Sequence, residues 1–242
     1  YEHDGLDEVA ASYDKIRPSF DETGSPRLAM GLNVGAQLFW QFHVDRKLKD
    51  RTRTILTYPQ YWTHRLTGVA TTDVTSLGCH TDLCSPTDQT FSSLVDRLGI
   101  ADKIAPPRRP ADVLGPILPE VALRTGLPET TTVVCGIHDS NASLLPYLLN
   151  RSAPFSVVST GTWVIAMSIG GKTVSLRPEF DTLMNVSALG TPVASARFMG
   201  GREYEIISEG GNCEPSDDDI ARVLQSNIML LPAVVSDAGP FP

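Results

Sequence analysis

Thr131-Thr132-Val133-Val134-Cys135-Gly136-Ile137-His138-Asp139-Ser140-Asn141-Ala142-Ser143 changes character halfway along. Residues 131–137 are a nearly continuous β-branched and apolar run, which predicts a buried strand opening a second domain at about residue 129. Polar residues then arrive, and the apolar positions of residues 144–149 predict a helix. In α/β proteins ligands gather where a strand ends and a helix begins, because side chains and helix amides converge there. A carboxylate at that point, Asp139, can accept the proton of an alcohol attacking an electrophile, and His138 can hydrogen-bond the same molecule. From position alone Asp139 reads equally well as a helix N-cap.

Downstream, residues 155–159 and 163–167 predict two strands joined by Thr160-Gly161-Thr162, with further strands at residues 183–186 and 193–198. A turn with two hydroxyls and a glycine can aim backbone N–H groups at a phosphate. It also fits an ordinary hairpin. Arg197-Phe198-Met199-Gly200-Gly201-Arg202-Glu203 follows the last strand, either lining a cleft or forming structural ion pairs. Ser216 and three aspartates predict a capped helix reaching Gln225.

Upstream, residues 1–33 mix Pro18, Gly24, Pro26 and Gly31 with polar positions, which predicts loop with short helical pieces. Helices are expected over residues 35–49, from Pro59 to Gly68, and over residues 90–99 with Phe91, Leu94, Val95 and Leu98 inward. Tyr61 and Trp62 are expected in the core of the second of these rather than against a ligand. The proline-rich run from Pro106 to Pro119 connects toward the second domain, and a short helix precedes Gly126.

The 242 residues carry a net charge of −8 with dispersed cations, and 41% of them are hydrophobic. That suffices to bury a core and lacks the basic footprint of a nucleic-acid or anionic-membrane binder. No apolar run approaches the roughly 20 residues of a membrane helix. Tyr1-Glu2-His3-Asp4 has no basic leader, so a cytoplasmic protein acting on a small ligand is expected. Cys79, Cys84, Cys135 and Cys213 read as free thiols. His3, His43, His64 and His80 have no partners at metal-ligand spacing and read as surface or core residues, so no metal-ligating set is named. The sequence leaves the oligomeric state open, a homodimer included.

The strand ending in His138-Asp139 and the Ser159-Thr160-Gly161-Thr162 turn, in that order, resemble the FGGY family of carbohydrate kinases. Tyr58-Pro59-Gln60-Tyr61-Trp62-Thr63-His64-Arg65-Leu66-Thr67-Gly68 is similar to the family's proline-led helix ending in Arg-Leu-Thr-Gly. Thr72-Asp73-Val74-Thr75 follows as the family's Thr-Asp segment does. Residues 31–40 look like a degenerate first signature that keeps Trp40 and has Gln37 where lysine is usual. The His-Asp pair is closest to kinases of deoxy-ketohexoses such as rhamnulose and fuculose.

The resemblance implies an α/β, ribonuclease-H-like (actin-like ATPase) two-domain fold, with residues 1–128 in the first, sugar-binding domain and 129–242 in the second, nucleotide-binding one. It implies phosphorylation of a sugar hydroxyl by ATP with Mg2+, Asp139 as base, His138 and Asn141 on the sugar, and Thr160, Gly161 and Thr162 on the nucleotide phosphates. The family's Asp-x-Gly-Thr hairpin and glycine-rich adenosine segment are not in this sequence, so a chain truncated at both ends is expected. A scaffold that has lost sugar turnover, or a metal-dependent phosphohydrolase using His138 and Asp139 as ligands, are the competing readings.

Overall fold

The structure is a computed structural model that describes residues 4–28, 31–172, 174–211, 214–235 and 238–241. His3 and Cys213 lie outside the described residues.

The first half is largely helical and irregular. A 3-10 helix, Asp4–Val9, and the short helices Ala10–Asp14 and Phe20–Thr23 fulfil the expectation of loop with helical pieces. Side chains organise this segment where backbone ladders are missing. The fully buried Asn33 accepts from Leu28 N–H at 2.8 Å and donates through Nδ2 to Ser25 Oγ, Pro26 O and His80 O at 3.0–3.1 Å. Asp82, also buried, accepts from Tyr13 Oη at 2.7 Å and from Arg17 Nε at 2.9 Å. Burial, with the Asp82 charge beside it, pushes the Tyr13 phenol well above its ordinary range. Around these bonds Leu6, Ala36, Leu83, Leu94, Val95, Leu98, Ile100 and Ile104 close one hydrophobic core.

Two helices differ from their expected bounds. The one expected over 35–49 runs Val34–Val44 and stops where Asp45 turns extended and its carboxylate accepts from Lys47 N–H; a separate turn, Leu48–Arg51, follows. In the other, Thr90–Phe91 pairs antiparallel with Cys84–Ser85, so the helix starts only after Ser92, whose hydroxyl caps Ser93–Leu98. Tyr58–Thr67 ends at Gly68 and Pro119–Thr125 at Gly126, as expected.

The strand expected to be buried over 131–137 is a correction. Only Thr132–Val134 is extended, it pairs antiparallel with Val113–Pro116 alone, and Val134 is 47% exposed. The apolar run does not fill a sheet centre, because no second neighbour strand flanks it among the described residues. Burial sets in at Cys135, whose N–H donates to Asp112 O.

The second half holds a four-stranded antiparallel sheet of Phe155–Ser159, Val164–Ile169, Pro192–Phe198 and Thr182–Val186, in that spatial order. The helix Asp139–Asn150 lies on it, with Leu144 packed against Met167 and Val193. Asp217–Gln225 carries the expected capping box of Ser216 and Asp219. Three described cysteines are free thiols, and burial pushes Cys84 and Cys135 to about 11. Among the described residues no helix is long and apolar enough to cross a membrane.

Candidate active site

The chain turns from strand to helix at Gly136, whose φ of +89° favours glycine. Its N–H donates to Pro110 O, while the preceding carbonyl, Cys135 O, accepts from Gln60 Nε2 at 2.9 Å. Gln60 is fully buried on the Tyr58–Thr67 helix. That inward role corrects the expectation for Tyr61 and Trp62, which stack edge to face and lie 43% and 54% exposed. The helix turns Gln60 and Thr63 inward because the strand end offers a carbonyl to bond.

Two residues further on, His138 N–H donates to Thr75 Oγ1 at 2.9 Å. Thr75 is itself fixed: its hydroxyl donates to Asp73 Oδ1 at 2.6 Å, and Asp73 caps Val74–Leu77 by accepting from Thr75 N–H and Ser76 N–H. Asp73 and Thr75 are completely buried. His138 is therefore the N-cap of Asp139–Asn150, and Asp139 occupies the first helical position. The helix-cap alternative for Asp139 is thereby resolved against it. Its side chain is 92% exposed, with Oδ1 3.1 Å from His138 Nδ1 and accepting from its neighbour Ser140 N–H at 2.6 Å. The exposed carboxylate remains free to meet a ligand.

Beside it lies a cavity of about 70 Å³ lined by residues of both halves, among them Cys79, His80, His138, Asn141, Asn185 and Arg197. His138 and Asn141 thus reach one wall, and Asn141 is buried. Asp139 stands outside the lining, close enough that its charge adds to burial in pushing the Cys79 thiol to about 12. His80, expected as a surface or core histidine, is a buried one and forms part of this wall. Burial, then the charges of Arg197 and His138, bring its imidazole down to about 4, so it is neutral at pH 7. The signal that could have found it is its place five residues after Thr75, on the segment that returns from the capped helix to the buried Asp82.

Arg197 answers both halves of its expectation. It lines the cavity and forms an ion pair with Asp181 at 2.9 Å, its guanidinium 4.7 Å from the Trp163 ring centroid. Arg202 pairs with Glu205 on the surface, and Glu203 is buried, accepting from Val234 N–H at 3.1 Å.

Thr160, Gly161 and Thr162 form an exposed turn between Phe155–Ser159 and Val164–Ile169, outside the cavity lining and one residue from Trp163. The helix Gly200–Ser208 begins against this turn: Gly201 N–H donates to Thr162 O at 3.2 Å, and a Cβ on Gly201 would stand 2.3 Å from Gly161 O. Only glycine lets the helix start this close. Among the described residues no group of three or more His, Cys, Asp and Glu side chains is arranged to hold a metal ion.

Comparison with known proteins identifies the family. Residues 17–146 match the N-terminal domain of the FGGY family of carbohydrate kinases, and residues 152–242 match the carbohydrate kinase FGGY C-terminal domain. An L-fuculokinase of Salmonella typhi is 28% identical over 159 residues, 65% of this chain and 33% of that protein. A carbohydrate kinase from Novosphingobium aromaticivorans superimposes with a TM-score of 0.88 at 41% identity, over 97% of this chain and 54% of that one. A xylulose kinase from Lactobacillus acidophilus gives a TM-score of 0.68 at 18% identity, over 91% of this chain and 44% of the other. The chain spans about half the length of the structures it matches. The fold is of the expected α/β, actin-like ATPase class, and by the family-model match over residues 17–146 the chain belongs to the FGGY family of carbohydrate kinases.

Proposed function

We propose that the protein transfers the terminal phosphoryl group of ATP to a hydroxyl of a small sugar, a ketose or deoxy-ketose such as L-fuculose, L-rhamnulose or xylulose. The observation that carries this reading is Asp139: an exposed carboxylate at a helix N-terminus, next to backbone that Thr75 holds at His138 and Gln60 holds at Cys135, beside a small cavity lined by both halves of the chain. The sugar hydroxyl gives its proton to Asp139 as its oxygen attacks the terminal phosphorus, and the bond from phosphorus to the ADP oxygen breaks. Phosphoryl transfer leaves a protein mainly alignment and charge stabilisation, so a pinned base is what the reaction asks of this chain. His138 and Asn141 hold the sugar, and the Thr160-Gly161-Thr162 turn, braced by Gly201, faces the phosphates. Mg2+ would supply charge neutralisation on the phosphates when bound; the described residues offer no cluster of three or more His, Cys, Asp and Glu side chains to hold it.

The match to an L-fuculokinase favours a deoxy-ketose within this class. The test is coupled ADP release by the purified full-length protein across ketoses, deoxy-ketoses and polyols, with Asp139→Asn alongside. Sugar-dependent release that vanishes in the variant supports the reading, and undiminished release in the variant removes Asp139 as base. No release with any sugar favours a nucleotide-binding scaffold.

A further inference from the structure

Arg197 joins two places that the sequence keeps apart. It sits on the strand Pro192–Phe198 opposite Ile165, and its side chain, 11% exposed, reaches the wall of the cavity beside Asp139. Its Nε donates to Asp181 Oδ1 at 2.9 Å. The guanidinium carbon lies over the Trp163 ring, 4.7 Å from its centroid. Trp163 directly follows Thr160-Gly161-Thr162, so one side chain extends from the cavity wall to the base of the turn.

Asp181 fixes the arginine from behind. It is buried, its carbonyl accepts Arg197 N–H at 3.2 Å, and its second carboxylate oxygen accepts Gly239 N–H at 3.1 Å. With its charge matched there and its face taken by the indole, what Arg197 offers the turn is a fixed seat for Trp163. The turn has use for one: its three residues are exposed, and its downstream end is held by the bond from Gly201 N–H to Thr162 O and by the stack of Trp163 on Arg197. A lysine could keep the ion pair, but a planar guanidinium can pair a carboxylate along its edge and stack an indole on its face at once.

Resting on the kinase reading, in which the turn faces the nucleotide phosphates, we propose that Arg197 is a positioning residue for the nucleotide: it seats Trp163 and thereby fixes the Thr160-Gly161-Thr162 turn relative to the cavity. Loss of the stack leaves every residue of the turn present and lets its direction spread, so that ATP must order the turn on binding.

The experiment uses the purified full-length protein, ATP titration calorimetry and coupled ADP release, with Arg197→Lys, Trp163→Leu, the double variant and Trp163→Tyr. Each of the first two is expected to weaken ATP binding about 3- to 10-fold. In Trp163→Leu, which leaves the cavity lining untouched, the sugar KM should stay within about twofold. Because both substitutions break one stack, the double variant should lose no more than the worse single one. Trp163→Tyr keeps a ring for the guanidinium and should retain most of the affinity. Trp163→Leu also keeps the buried ion pair whole, so it supplies the answer should Arg197→Lys not fold. ATP affinity unchanged in the folded variants, additive losses in the double variant, or an equal rise of the sugar KM in Trp163→Leu overturns the inference while leaving the kinase reading intact. Absence of ADP release by the parent with every sugar overturns the kinase reading and the inference with it.

Discussion

Thr75 Oγ1 accepts the backbone N–H of His138 at 2.9 Å across 63 positions of sequence. The bond joins two motifs that lie far apart in the chain. Within Thr72-Asp73-Val74-Thr75, Asp73 caps the short helix Val74–Leu77. Its further consequence is that the threonine hydroxyl is oriented by Asp73 and left with its oxygen toward the N-cap of Asp139–Asn150. Gln60 does the same one step earlier by bonding Cys135 O. Asp139 itself is exposed, so its direction is set by backbone held from the first half of the chain rather than by packing of its own side chain.

Thr75→Val keeps the shape and removes the hydroxyl, leaving the His138 N–H and one Asp73 oxygen each short of a partner. A loss of about 1–3 kcal/mol in unfolding free energy is expected by denaturant titration. If Asp139 is the base, displacing it while the sugar's own contacts remain should lower kcat about 10- to 100-fold with KM changed much less. Thr75→Ser should restore most of the kcat. A proportional loss of kcat and stability in both variants would make Thr75 a merely structural residue.

Asp139→Asn separates chemistry from folding. The carboxylate is 92% exposed and bonds only locally, so the variant's unfolding free energy should stay within about 0.5 kcal/mol of the parent. ATP binding measured by calorimetry should also persist. A large loss of stability would mean that Asp139 is held by contacts other than those seen, and any fall in activity could no longer be assigned to a missing base.

Gly201→Ala probes the turn. The added Cβ would stand 2.3 Å from Gly161 O and 2.9 Å from Thr162 Cα, backbone atoms that cannot swing aside as a side-chain tip can. Either the turn or the helix Gly200–Ser208 must shift, at about 1–3 kcal/mol. If Thr160, Gly161 and Thr162 face the nucleotide, the KM for ATP should rise several-fold while the KM for the sugar holds. Equal effects on both would place the turn elsewhere in the reaction.

How much of this was legible in the sequence depends on the range of the interaction. The sheet strands, the capping box of Ser216 and Asp219 and the glycine stops at Gly68 and Gly126 are encoded within a few residues, and the structure has them where periodicity and turn chemistry put them. The switch from strand to helix that carries His138 and Asn141 was also readable. The placements of Gln60, Thr75 and His80 were not, because they arise only when distant segments meet. Tyr61 and Trp62 show the converse: apolar character suggested burial, yet the helix spends its inward face on Gln60 and Thr63. The strand at Thr132–Val134 reads as buried by composition alone, whereas burial there depends on neighbours that composition does not specify.

His80 gives the structure an acid sensitivity of definite sign. Its imidazole titrates near 4 in the fold against 6.5 when unfolded, because burial and the nearby Arg197 and His138 oppose its charge. The unfolded chain therefore binds the proton first, and stability is fully present above pH 6.5 and lost as pH falls toward 4. The integrated effect is on the order of 3 kcal/mol across that window. In His80→Phe this part of the pH dependence should disappear, so the difference in unfolding free energy between parent and variant should shift by that amount between pH 7 and pH 4. A parallel pair of stability curves would show that His80 is solvated and free to charge in the folded protein, and the neutral imidazole on the cavity wall would have to be abandoned.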